Sequence, residues 1–231
     1  MNKVGIIGIT SEGASICYKT VVSESSKILG GFNNVEVALV QPNFNRILEA
    51  QKSKDWDKVA EIIVDSGKEL EKLGVTNIII PANSIHFAIK QIQKQLTTKV
   101  VNLLEVVKEV CLRKNYKRAL VLGVGITMSD HLYKEVLEKN GIEYMIPSEK
   151  EREFLDEIIY TELVKGVING DSTKQILETI QNGKENSCDV VILACTELPM
   201  VINDTNSPLP IIDTTRELAI AALTEAHHTT L

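Results

Sequence analysis

Cys195 is the cysteine whose setting suits chemistry. It closes an apolar run at residues 189–194 and is followed directly by Thr196-Glu197. The spacing predicts a helix over 196–201. A thiol at a helix N-terminus ionises below its ordinary pKa of about 8.5, because the dipole and free N–H groups favour thiolate. A second polar turn, Ala82-Asn83-Ser84, closes the run at 77–81. Asn83 and Ser84 there either cap a helix beginning near Ile85 or join Thr196 as hydrogen-bond donors suited to a carboxylate. His86, one turn in, reads as a packed helix histidine rather than a base. Thr10 and Thr127 lie in two further strand-end turns, Gly8-Ile9-Thr10-Ser11 and Gly123-Val124-Gly125-Ile126-Thr127. The segment from Thr127 to Asp130 reads as a helix start with a capping-box acid. Cys17, Cys111 and Cys188 read as small buried hydrophobes.

Such turns need elements to hold them. Short Val-, Ile- and Leu-rich runs at 3–9, 35–40, 77–81, 119–123, 142–146 and 189–194 read as strands. Amphipathic stretches separate them, the clearest carrying Trp56, Val59, Ile62, Ile63, Leu70 and Leu73 and closing at Gly74. Apolar strands alternating with helices predict an α/β protein whose parallel sheets are covered on both faces.

The chain also repeats itself at about half its length. Val4-Gly5-Ile6-Ile7-Gly8, before a helix with Tyr18-Lys19, matches Leu120-Val121-Leu122-Gly123, before a helix with Tyr133-Lys134. The strand ending at Ala82-Asn83-Ser84 matches the strand ending at Cys195-Thr196-Glu197. The repeat predicts two pseudo-symmetric doubly wound lobes. The first comprises residues 1–102 with about 212–231, the second 103–211, and a closing helix near 214–226 returns to the first. Ligands of such sheets collect at the carboxyl ends of strands. The four turns are therefore expected around one active-site cleft between the lobes.

Composition narrows the function classes. Twenty-five Lys and Arg oppose 31 Asp and Glu, a formal charge of −6, and no basic face suggests nucleic acid as a partner. No run approaches the roughly 18–20 apolar residues of a membrane span, and the start shows no signal-peptide pattern. The four cysteines fit neither a zinc ribbon nor a CxxC pair, and His86, His131, His227 and His228 do not converge on a metal site. These features read as a reduced, cytoplasmic, metal-free protein. Gly5, Gly8 and Gly13 do not make a G-x-G-x-x-G turn, and neither a P-loop nor a G-x-S-x-G elbow occurs.

Ile80-Pro81-Ala82-Asn83-Ser84-Ile85-His86 resembles the Cys-Asn-Thr-x-His motif of the aspartate/glutamate racemases, and Ala194-Cys195-Thr196-Glu197 resembles their Gly-Cys-Thr-Glu motif. Asp55-Trp56, Gly125-Ile126-Thr127-Met128, Tyr160-Thr161-Glu162-Leu163 and Asp213-Thr214-Thr215 extend the resemblance over essentially the whole chain. It implies a racemase of aspartate or glutamate that works without pyridoxal phosphate, commonly as a homodimer. It also implies a substrate site drawing on Thr10, Arg46, Asn83, Ser84, Thr127, Lys165, Thr196 and Glu197, with Arg46 as the cation for the side-chain carboxylate. Lys165 is a second cation there or an ordinary surface lysine. In that chemistry two thiols flank a planar carbanion, one removing the α-proton and the other delivering one to the opposite face.

Ala82 occupies the first thiol's position. A methyl group carries no transferable proton. Either the chain is an engineered inactive variant or the protein naturally lacks the first thiol, and the intact surrounding motif favours engineering. Two other functions suit a single thiol, namely decarboxylation of a disubstituted malonate and capture of a dicarboxylate without catalysis. Arg216-Glu217 follows Asp213-Thr214-Thr215 where many relatives carry Ile-His, which leaves a C-terminal histidine without a role.

Overall fold

A computed structural model describes residues 3–129 and 132–228 of the chain. Its elements run β1 (Lys3–Ile7), α1 (Ser11–Leu29), β2 (Glu36–Val40), α2 (Phe44–Lys52), α3 (Trp56–Lys72), β3 (Asn77–Ile79), α4 (Ile89–Gln95), β4 (Lys99–Val100) and α5 (Leu103–Arg113). They continue with β5 (Arg118–Gly123), α6 (Gly125–Ser129), α7 (Lys134–Glu138), β6 (Glu143–Met145), α8 (Glu149–Thr161), α9 (Gly170–Glu185), β7 (Val190–Ala194), β8 (Ile211–Asp213) and α10 (Thr214–His228). The strands form two four-stranded sheets of order β2-β1-β3-β4 and β6-β5-β7-β8. Every pairing is parallel, with Val4 opposite Val37 and Asn77 in one sheet and Ala119 opposite Tyr144 and Val190 in the other. The second half of the chain therefore repeats the strand order of the first, as its sequence repeat predicts.

The structure divides into a unit of residues 1–106 with 215–231 and a unit of residues 107–214. Each unit has its own apolar core. Ile7, Ile47, Ile63, Leu70, Ile78 and Ile92 fill the first, and Leu120, Leu122, Leu155, Ile180, Val191 and Leu193 the second. Helix α10 belongs with the first unit, where the Asn77 side chain donates to the Ala222 carbonyl at 2.8 Å and the Cys17 thiol faces the Thr215 carbonyl at 3.5 Å. Among the described residues no helix is long and apolar enough to cross a membrane.

Local signals set several boundaries. Asp55 caps α3 by accepting from Lys58 N–H at 2.9 Å, and Gly74 follows the helix at φ +70°, a left-handed conformation that glycine adopts without steric cost. Three features differ from expectation. Strands β4 and β8, of two and three residues, are too short to show a periodic pattern. Helix α6 begins at Gly125, so Thr127 sits inside it rather than capping it, and Asp130 and His131 lie outside the described residues. The segment 196–201 contains only a 3-10 turn, Leu198–Met200. Pro199 has no N–H to give to a helical ladder there.

Candidate active site

In the second unit β5 and β7 lie side by side with Gly123 opposite Ala194. A Cβ at Gly123 would stand 2.7 Å from the Ala194 carbonyl oxygen, so only glycine lets these strand ends approach so closely. That approach sets Cys195, Thr196 and Glu197 beside the turn that starts α6. All three are buried, at 8%, 5% and 4% exposure. One carboxylate oxygen, Glu197 Oε2, accepts from Cys195 Sγ at 3.0 Å and from Thr196 Oγ1 at 2.7 Å.

This geometry corrects the expected thiol chemistry. A three-residue turn supplies no helix dipole worth the name, and burial pushes the Cys195 thiol well above its usual range, with the Glu197 charge adding to the effect. Cys195 therefore rests protonated instead of as a thiolate. Helix α8 contributes two neighbours. Asp156 Oδ1 accepts from the Gly125 N–H at 2.6 Å, and its charge also bears on Cys195. Tyr160 is raised to about 12, first by burial and then by Asp156, Cys195 and Glu197. Thr127 is fully buried, and its Oγ1 has no hydrogen-bond partner among the described residues. Lys165 is exposed at the end of a 3-10 turn, Leu163–Lys165.

In the first unit β1 and β3 are neighbours, with Ile6 opposite Ile79. Ala82 precedes a 3-10 helix, Asn83–Ala88, and provides no side-chain cap. Asn83 and Ser84 thus stand within that helix's first turn instead of capping a helix near Ile85. Asn83 is buried, and Ser84 Oγ accepts from the Gln51 side chain of α2 at 2.8 Å. Thr10 caps α1 by accepting from the Gly13 N–H at 3.2 Å. Arg46 lies exposed in the first turn of α2, whose cap is Asn43.

His86 is the packed histidine expected. Its Nδ1 donates to the Ala82 carbonyl at 3.0 Å, and burial lowers its pKa to about 4. The folded chain thus binds this proton more weakly than the unfolded chain does. The resulting stability is complete above about pH 6.5 and is lost as the pH falls toward 4. At roughly 1.4 kcal/mol per unit, acidification from pH 7 to 4.5 is expected to cost the chain about 2–3 kcal/mol more than it costs a His86→Gln variant. Urea unfolding of both proteins at the two pH values measures the difference.

Three helix residues that bear on these turns, Gln51 of α2 and Asp156 and Tyr160 of α8, carry no signal in the sequence that ties them to the site. Gln51 is 33 residues from Ser84, and Asp156 is 31 from Gly125. Tyr160 belongs to a segment of the resemblance, but nothing local links it to Cys195. Only the folded contacts show these pairings.

The family model for Asp/Glu/hydantoin racemases matches residues 6–222. The chain belongs to that racemase family. It is 27% identical over 219 residues to the broad specificity amino-acid racemase RacX of Bacillus subtilis (strain 168), covering 94% of both chains. An aspartate racemase homologue from Pyrococcus horikoshii OT3 has 27% identity and a TM-score of 0.85, with 98% of this chain and 100% of that chain covered. An aspartate racemase from Picrophilus torridus, 23% identical, shares the fold with a TM-score of 0.77 over 98% of this chain and 95% of its own. Among the described residues of this racemase-family chain, no group of three His, Cys, Asp or Glu side chains is placed to hold a metal ion.

Proposed function

We propose that the chain is a cofactor-independent racemase of aspartate, glutamate or both, with Ala82 at the position of the first of two proton-transfer thiols. The observation that carries this reading is the buried Cys195-Thr196-Glu197 turn in a chain of the racemase family. An amino acid's α-proton is a very weak acid, and inversion must remove it from one face and add another to the opposite face. Cys195 serves one face, as thiol when it gives the proton and as thiolate when it takes it. Residue 82 is assigned to the other face, in the first unit. The carbanion's charge spreads into the α-carboxylate, where the buried Asn83, Thr127 and Thr196 groups are suited to stabilise it. Thr10 and Ser84 complete that polar lining, and Arg46 and Lys165 supply positive charge for the side-chain carboxylate. An engineered change at residue 82 accounts for a turn that keeps Asn83, Ser84 and His86 while lacking its thiol.

The charge assignment gives a direct test of the substrate class. Arg46→Ala is expected to weaken aspartate binding at least tenfold in calorimetric titration while leaving alanine binding within about twofold. Arg46→Lys is expected to recover only part, because the two-pronged guanidinium fork is lost. Equal losses for both amino acids would remove Arg46 from the site. Carbon dioxide release from a disubstituted malonate by the unaltered chain would replace racemisation with decarboxylation, which needs only one thiol.

A further inference from the structure

The resemblance places Glu197 among the substrate contacts, yet its side chain is turned to another task. Oε2 already holds two donors, Cys195 Sγ at 3.0 Å and Thr196 Oγ1 at 2.7 Å, and the three residues are at most 8% exposed. Two donors occupy the lone pairs of that oxygen. We propose that Glu197 is the positioning residue of Cys195, sharing one proton with it: the proton sits on Sγ at rest and passes to Oε2 when Cys195 acts as a base. The proposed function supplies the use of that proton, but the pair itself stands on the contacts of one turn.

The step conserves charge. At rest the pair is a thiol and a carboxylate. In the transfer the S–H bond breaks and an O–H bond forms on Oε2, leaving a thiolate and a carboxylic acid with the same net charge. The thiolate then takes the substrate's α-proton, and the electrons of the broken C–H bond stay on the substrate carbon. In the reverse stroke the thiol gives its proton to the carbanion, and Oε2 returns one to the thiolate. Loss of the thiol proton to water would instead leave two anions 3.0 Å apart in a buried turn, a costly arrangement. Two ionisable groups of α8 also bear on this turn. Asp156 adds a further negative charge, and the Tyr160 phenol remains neutral through the working range. The Thr196 hydroxyl holds Oε2 toward the sulfur.

The pH profile of Cys195 alkylation by iodoacetamide tests the pair, read by mass spectrometry of the Cys195 peptide on the folded protein. The unaltered chain is expected to react with a midpoint above the value of about 8.5 for an ordinary thiol. Glu197→Gln keeps the shape and removes the charge and the proton acceptor, so its alkylation at pH 8 should rise at least tenfold and its midpoint should fall. Thr196→Val removes one donor to Oε2 but keeps the carboxylate's charge, so its profile should stay much nearer the slow profile than that of Glu197→Gln. A midpoint at or below 8.5 in the unaltered chain would overturn the proposal, whether or not any variant folds. It would also fail if Glu197→Gln left the profile unmoved, or if Thr196→Val accelerated alkylation as much as Glu197→Gln, since loosening of the turn would then explain both. Alkylation needs no turnover, so a chain that never racemises can still confirm the pair.

Discussion

Ala82→Cys is expected to give a chain proposed to lack its first proton-transfer thiol the ability to interconvert both enantiomers of aspartate, glutamate or both. The unaltered chain has one thiol assigned to the reacting carbon. On the proposed assignment, Cys195 removes the α-proton that faces it and returns one from solvent to the same side. The unaltered chain should therefore exchange the α-proton of one enantiomer with deuterated water, slowly and with retention, and leave the other enantiomer untouched. A cysteine at residue 82 adds a proton donor to the opposite face, so exchange becomes inversion. Each positioned proton-transfer group contributes typically 10²–10⁴-fold. The gain in racemisation is expected within that range, read by chiral chromatography beside deuterium incorporation. Should Ala82→Cys produce no inversion of either amino acid, or the Ala82 chain invert them at an ordinary enzyme rate, the two-thiol assignment is wrong.

In the Ala82→Cys background, a further Cys195→Ala change is expected to reduce racemisation by about 10²–10⁴-fold. The side chain is small and the strand before it is anchored by Val190–Ala194, which is buried throughout, so circular dichroism and melting temperature should barely move. Exchange should not vanish. It should switch to the enantiomer that the Ala82 chain leaves untouched, because the surviving thiol then serves the other face. That exchange of preference separates loss of a proton-transfer group from general damage to the site. A rate unchanged by Cys195→Ala would exclude Cys195 from the chemistry.

The apolar runs of β1, β3, β5 and β7 were legible because central parallel strands are covered on both faces and read as unbroken Val, Ile and Leu. Their repetition along the chain was equally legible and matches the shared strand order of the two sheets. The turns could be located for the same reason, since they follow those strands. The chemistry inside the turns was less accessible. The thiolate expected at Cys195 presupposed an α-helix at 196–201, whereas Pro199 and a 3-10 turn follow, and burial beside Glu197 keeps the proton on sulfur. The sequence pattern puts Thr127 at a helix start, but α6 begins two residues earlier, where Asp156 binds the Gly125 N–H. Both differences have one physical cause. The deciding contacts come from side chains two residues away in the turn or about thirty residues away in α8, and neither follows a helical or strand period.

Helix α10 has a consequence for how the protein emerges from the ribosome. The buried Asn77 side chain donates to the Ala222 carbonyl, 145 residues later. Synthesis runs from the N-terminus, so the unit whose strands appear first lacks α10 until the residues after the second unit have been made. The second unit, residues 107–214, is continuous and can complete its sheet while the first still waits. The order of completion is then the reverse of the order of synthesis. A chain that stops short of α10 leaves the Asn77 amide without the Ala222 carbonyl it donates to, a gap in the first unit that invites recognition by chaperones.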